Sequence, residues 1–155
     1  MEQKEKELDR NRLTEVLFAL LRRGLQQEPS NDIALSQAQF DAVLKLSKRH
    51  EVQSLAAYGL LLSGGLTGDQ EARCRNSLYR TVAYQERMER EFVRTCNLLE
   101  AAGLSYMPLK GAVIRSLYPE PWLRTSGDID ILVKDADRAA AVLTENGYIK
   151  GEYAH

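Results

Sequence analysis

Thr125-Ser126-Gly127-Asp128-Ile129-Asp130-Ile131-Leu132-Val133 is the stretch on which the fold turns. Residues 128–133 carry the alternation of a strand, which places Ile129, Ile131 and Val133 on one face and Asp128 and Asp130 on the other. Strand spacing puts the two aspartate Cα atoms roughly 6.5 to 7 Å apart. Side-by-side carboxylates repel, and each loses hydration unless a positive group lies between them. A hard divalent cation with oxygen ligands resolves that conflict, and Mg²⁺ bridged to substrate phosphates is the usual instance. The plainer alternative is a strand start, with Asp128 capping a turn and Asp130 facing solvent on an edge. Two neighbours favour the first: Gly127 lets a backbone or ligand approach closely, and Ser126 offers a hydroxyl and an amide at the same place.

Upstream lies Pro108-Leu109-Lys110-Gly111-Ala112. Residues 105–109 form a short apolar run, a second candidate strand, and residues 111–117 a short helix. Lys110 therefore stands at a strand-to-helix junction, and Gly111 opens a helix whose free N–H groups can receive a phosphate. Taken alone, Lys110 could equally be a surface lysine and Gly111 a turn. Tyr118-Pro119-Glu120-Pro121 closes the helix, and its prolines force an extended loop over residues 122–127. Arg115 and Arg124 are further candidate phosphate partners in this region. Downstream, residues 135–146 read as a helix with Ala139, Val142 and Leu143 inward and Gly147 as its stop, after which Tyr148 and Ile149 open another strand.

Everything before residue 103 reads as helix. Leu13, Val16, Leu17, Leu20 and Leu21 fall at helical spacing, with Arg22 and Arg23 near the negative end before Gly24. Pro29, Ser30 and Asn31 mark a turn, and Ser36 is an N-cap for a stripe of Phe40, Val43, Leu44 and Leu46. Residues 53–62 make a third helix ending in Ser63-Gly64-Gly65. Residues 69–102 lack Pro and Gly, and Leu78, Val82, Gln85, Glu89, Phe92, Cys96 and Leu99 follow a spacing near 3.5 with two polar interruptions. A long helix packed lengthwise on its neighbours accounts for this better than an independent coiled coil. The expected architecture is α+β: a helical region over residues 1–102, then a short mixed sheet with flanking helices over 103–155.

Composition narrows the setting. Of 155 residues 44% are hydrophobic, which excludes a mostly disordered chain. The formal net charge of −1 argues against a large nucleic-acid surface, while an RNA end bound in a local groove remains compatible. The longest apolar run, Leu60-Leu61-Leu62, is too short to cross a membrane, and the charged first residues lack a signal-peptide core. Cys74 and Cys96 are too few for a disulfide framework, and with only two histidines a zinc site is not expected. A reducing, cytoplasmic location is the default expectation.

Together, Leu109-Lys110-Gly111, Tyr118-Pro119-Glu120-Pro121 and the segment from Leu123 to Val133 resemble the nucleotidyltransferase superfamily that includes DNA polymerase beta. The closer similarity is to its bacterial nucleotidyltransferase family of mostly uncharacterised members. It spans about residues 104–148. The resemblance implies a polymerase-beta-like core in which Asp128 and Asp130 are catalytic and bind Mg²⁺ or Mn²⁺. It also implies that Gly111 helps to hold a nucleoside triphosphate such as ATP. Lys110, Arg124, Ser126 and Gly127 complete the expected phosphate-binding set. The superfamily's usual Gly-Ser pair is replaced here by Lys110-Gly111-Ala112, and its third carboxylate comes from a later strand. Glu152 is the only acidic residue after Glu145, so residues 103–155 are expected to be a core truncated before its third acidic strand.

The expected function is metal-dependent transfer of a nucleoside monophosphate from an NTP to an unknown acceptor, with oligomeric state open. Two alternatives stand beside it. A non-catalytic helical interaction module would account for the long helix and the missing acid. A glycosyltransferase using its Asp-x-Asp for a nucleotide sugar would need several alternating strands and helices before the motif, where this chain has about a hundred mostly helical residues.

Overall fold

The computed structural model describes residues 2–151, with backbone alone for residues 2–10 and 112. The elements are α1 (Glu2–Gln26), α2 (Gln37–Arg49), α3 (Gln53–Ser63), α4 (Gly68–Ala101), β1 (Tyr106–Pro108), α5 (Gly111–Ile114), β2 (Ile131–Val133) and α6 (Ala136–Glu145). Two 3₁₀ turns, Arg115–Leu117 and Pro121–Leu123, lie between α5 and β2. The architecture is α+β, as its helix-then-strand order requires. The sheet over these residues has two antiparallel strands and is not mixed. No helix among the described residues is long and apolar enough to cross a membrane.

The chain divides into two compact units, residues 1–83 with 115–125, and residues 84–114 with 126–155. The first is helical. Leu20, Phe40, Val43 and Leu60 are buried at its centre, with Leu17 and Cys74, each large side chain contributing roughly 1.5 to 3 kcal/mol. Ser36 caps α2 as expected, in a capping box with Gln39. Gly24 does not end α1, which runs on to Gln26. Instead it lets α3 come close: a Cβ there would stand 2.8 Å from Leu55 Cδ1. Gly59 does the same from the other helix, where a Cβ would meet the Leu20 carbonyl oxygen at 2.1 Å. Glycines thus set how closely α1 and α3 pack, a role that local sequence signals do not distinguish from a helix stop. Trp122 packs edge-on to Tyr58 with ring centroids 5.7 Å apart, and Leu123 beside it is buried.

The second unit is smaller. Leu99, Leu104 and Ala139 are buried, and Tyr106, Ile131, Val133 and Val142 pack on them. Both expected helix stops hold. Gly103 (φ +67°) and Gly147 (φ +91°) adopt the left-handed conformation. The Leu104 and Tyr148 N–H groups reach back to the Leu99 and Leu143 carbonyls, closing Schellman motifs. Asp135 caps α6 by accepting from the Arg138 N–H at 3.0 Å. The Arg138 guanidinium then donates to the Ala102 carbonyl at 2.7 Å, tying α6 to the end of α4.

The strand expected at Tyr148 and Ile149 does not form: residues 148–151 have no regular structure, and Ile149 is almost fully exposed. Tyr148 is committed elsewhere. Its hydroxyl hydrogen-bonds Glu91 and Thr95, and the Arg94 guanidinium lies over its ring at 5.2 Å. Burial and the Glu91 carboxylate both raise the Tyr148 pKa.

Candidate active site

β1 and β2 pair with Tyr106 opposite Val133, Met107 opposite Leu132 and Pro108 opposite Ile131. The same register continues at both ends, where Lys134 N donates to Ser105 O and Leu109 N to Asp130 O. The exchanging positions are thus the odd-numbered residues of β1. Pro108 falls between them and costs the ladder no hydrogen bond. Directly paired residues share a face, so Ile131 and Val133 turn inward with Pro108 and Tyr106. Met107 and Leu132 turn outward, 52% and 55% exposed. The inward–outward alternation is the one the sequence predicts.

The strand itself is shorter than expected. β2 begins at Ile131, so Asp128 and Asp130 lie in the approach to it and not within the strand. The reason is the partner: beyond Leu109 the chain turns into α5 and no longer supplies a ladder for residues 128–129. Asp130 stays tied to the sheet by the 2.9 Å bond from Leu109 N to its carbonyl. Asp128 is exposed and Asp130 is half-buried.

Lys110 is the residue the turn strains. Its φ is +39°, a left-handed conformation uncommon outside glycine, and its carbonyl accepts from the Val113 and Ile114 N–H groups to start α5. Its ammonium lies 3.2 Å from Asp130 Oδ2. Gly111 follows as the first residue of α5, but this helix is only four residues long. The free N–H groups expected there to receive a phosphate thus belong to a single short turn.

Ser126 and Gly127 stand where the chain enters the Asp-x-Asp segment. Ser126 Oγ donates to the Asp128 carbonyl at 3.3 Å. A Cβ on Gly127 would meet nothing within 4 Å, so the space beside it is open. Lys110, Ser126, Gly127, Asp128 and Asp130 all belong to the second unit, whereas Arg124 and Arg115 belong to the first. Arg124 is the C-cap of the second 3₁₀ turn and reaches the Thr125 carbonyl at 3.4 Å. Glu152 lies outside the described residues. Among the described residues no three His, Cys, Asp or Glu side chains cluster as a metal site.

Two side chains at this place carry no motif. Gln85 of α4 is 5% exposed, and its Nε2 lies 3.4 Å from the Ser126 carbonyl oxygen. Tyr84 directs its hydroxyl at the Gly127 carbonyl, 3.5 Å away. The one sequence signal for Gln85 is that it interrupts an apolar stripe.

The chain is α+β, with a strand-to-helix junction that brings Lys110 against the Asp-x-Asp segment. The family described as uncharacterised nucleotidyltransferase matches residues 36–155, and the chain belongs to it. The match begins at the cap of α2, so helices α2 to α4 are part of what the family shares. No curated protein and no solved structure matches the chain.

Proposed function

We propose that this chain transfers a nucleoside monophosphate from a nucleoside triphosphate, ATP being the first to test, to an acceptor hydroxyl. Asp128 and Asp130 would hold Mg²⁺ or Mn²⁺, and Lys110, Gly111, Ser126 and Gly127 would face the triphosphate. Arg124 is carried into this set on its sequence position. The observation that supports the reading is the 3.2 Å approach of the Lys110 ammonium to Asp130, a cation beside a carboxylate, as neighbouring phosphate and metal contacts would require.

The donor set suits the ion. Two carboxylates offer hard oxygens, Asp128 is open to solvent, and Asp130 already accepts a positive charge in an accessible position. A bound divalent cation supplies positive charge for the triphosphate and the departing pyrophosphate. The chain's own part is to hold and orient. Lys110 would exchange its contact with Asp130 for phosphate oxygens, and the open space beside Gly127 would leave room for the substrate. In the transfer, the acceptor oxygen bonds to the α-phosphorus. The bond from that phosphorus to the bridging oxygen breaks, pyrophosphate leaves with the electron pair, and the hydroxyl proton passes to water. Two buried free thiols suit a reducing, cytoplasmic setting.

Calorimetric titration with Mn²⁺, and with each NTP in the presence of Mg²⁺, tests the reading. Binding that is lost in the Asp128→Asn, Asp130→Asn double variant supports it. An absence of both metal and NTP binding in the wild type overturns it.

A further inference from the structure

We propose that Gln85, with Tyr84 beside it, is a positioning residue for Asp128. Residues 126–128 precede β2, where no neighbouring strand supplies N–H groups. Their carbonyls are taken up by side chains instead: Ser126 O by Gln85 Nε2 at 3.4 Å, Gly127 O by the Tyr84 hydroxyl at 3.5 Å, and Asp128 O by Ser126 Oγ at 3.3 Å. Each contact is long on its own, but together they hold three successive peptide units. Two of the three donors stand on α4, whose following turns bury Cys96 and Leu99 in the same unit.

Gln85 occupies a position between Leu78 and Leu99 where the helix's spacing asks for an apolar residue, and it is 5% exposed. A buried amide is favoured over a leucine there when it satisfies a polar group that would otherwise be stranded. The Ser126 carbonyl is a group of this kind within reach of the amide, at 3.4 Å. Gly127 makes the hold consequential, since a glycine with open space beside it leaves the backbone free to reorient the next residue. Fixing the two peptide units on either side of it sets the direction in which Asp128 leaves the chain, the kind of support a metal-binding or phosphate-binding site needs from its surroundings. Glutamate could not replace Gln85, because its carboxylate would oppose the carbonyl oxygen.

This inference rests on Asp128 as a metal ligand, so the test separates the two. Gln85→Met keeps length and burial but removes the donor, and Tyr84→Phe removes one hydroxyl from a half-buried ring. Both variants are compared with the full wild-type chain by far-UV circular dichroism, by Mn²⁺ titration followed by electron paramagnetic resonance, and by amide hydrogen exchange. With helicity retained, Gln85→Met should bind Mn²⁺ about five- to tenfold more weakly, the scale of one lost hydrogen bond. Exchange at residues 127–130 should accelerate while that at residues 99–104 stays as it was. Tyr84→Phe should move both readouts in the same direction by less, and it stands in if the methionine variant does not fold. Faster exchange at 127–130 in the variants, together with a wild type that binds no Mn²⁺, removes the metal reading and still supports Gln85 as the residue that holds the loop. Unchanged exchange at 127–130 in both variants overturns the proposal whatever the metal does.

Discussion

Lys110 occupies a left-handed backbone conformation, φ +39°, while its ammonium lies 3.2 Å from the Asp130 carboxylate. The backbone cost of a non-glycine residue there is about 1 kcal/mol. The ion pair is too exposed to offset much more than that, since its lysine is largely in water. The pair is therefore close to neutral for stability, and its value lies in where it holds a positive charge.

Lys110→Gly follows directly. Glycine relieves the strained φ and forfeits the ion pair, so urea denaturation should give a stability within about 1 kcal/mol of wild type. ATP affinity in the presence of Mg²⁺, measured by calorimetry, should fall about tenfold or more, as expected on losing a charged contact to phosphate.

Gly59→Ala should be among the most damaging small substitutions in the chain. The new methyl would stand 2.1 Å from the Leu20 carbonyl oxygen, which is main chain and cannot swing aside. Separation of α1 from α3 should cost about 3 kcal/mol, read as a lower urea midpoint. Gly68→Ala, where nothing lies within 4 Å, is the control and should change stability little.

Tyr148→Phe removes the hydroxyl that meets Glu91 and Thr95. The expected loss is about 1 kcal/mol. Hydrogen exchange should report it locally, with faster exchange over residues 147–150 and little change in α1 to α3.

Burial pushes the Cys74 thiol from its ordinary value of 9.0 up to about 11. A group whose pKa is raised on folding adds stability below its unfolded pKa and loses that contribution as pH rises through the folded one. Stability should therefore decline between about pH 9 and pH 11. Cys74→Ala should flatten that decline, although the variant starts from a lower stability because it leaves a small void. Paired denaturation curves at pH 8 and pH 10.5 would reveal it. Near neutral pH the same thiol should react slowly with disulfide reagents until the chain unfolds.

Much of the local structure is legible from residue order. Ser36 as a cap, Gly103 and Gly147 as stops, and Ile131 and Val133 as inward positions all follow from chemistry within a few residues of each site, and the structure has them so. The misreadings share one cause. Local signals read Gly24 as a helix stop, residues 128–130 as strand and Tyr148 as a strand start. In each case the outcome depends on a distant partner: Leu55 for Gly24, the turn after Leu109 for the aspartates, and Glu91 with Thr95 for Tyr148.

The sequence by itself determined the α+β class, the ends and buried faces of most elements, and a resemblance to a nucleotidyltransferase family carried by motifs between residues 109 and 133. These rest on periodicity, capping and a local motif, which act over a few residues. Only the tertiary structure decided that the strained residue of the junction is Lys110, that its ammonium meets Asp130, and that Gln85 reaches the chain just before Asp128. Gln85 and Ser126 are 41 residues apart. No local pattern encodes such a contact, because it exists only once helix packing and strand register have brought the two segments together.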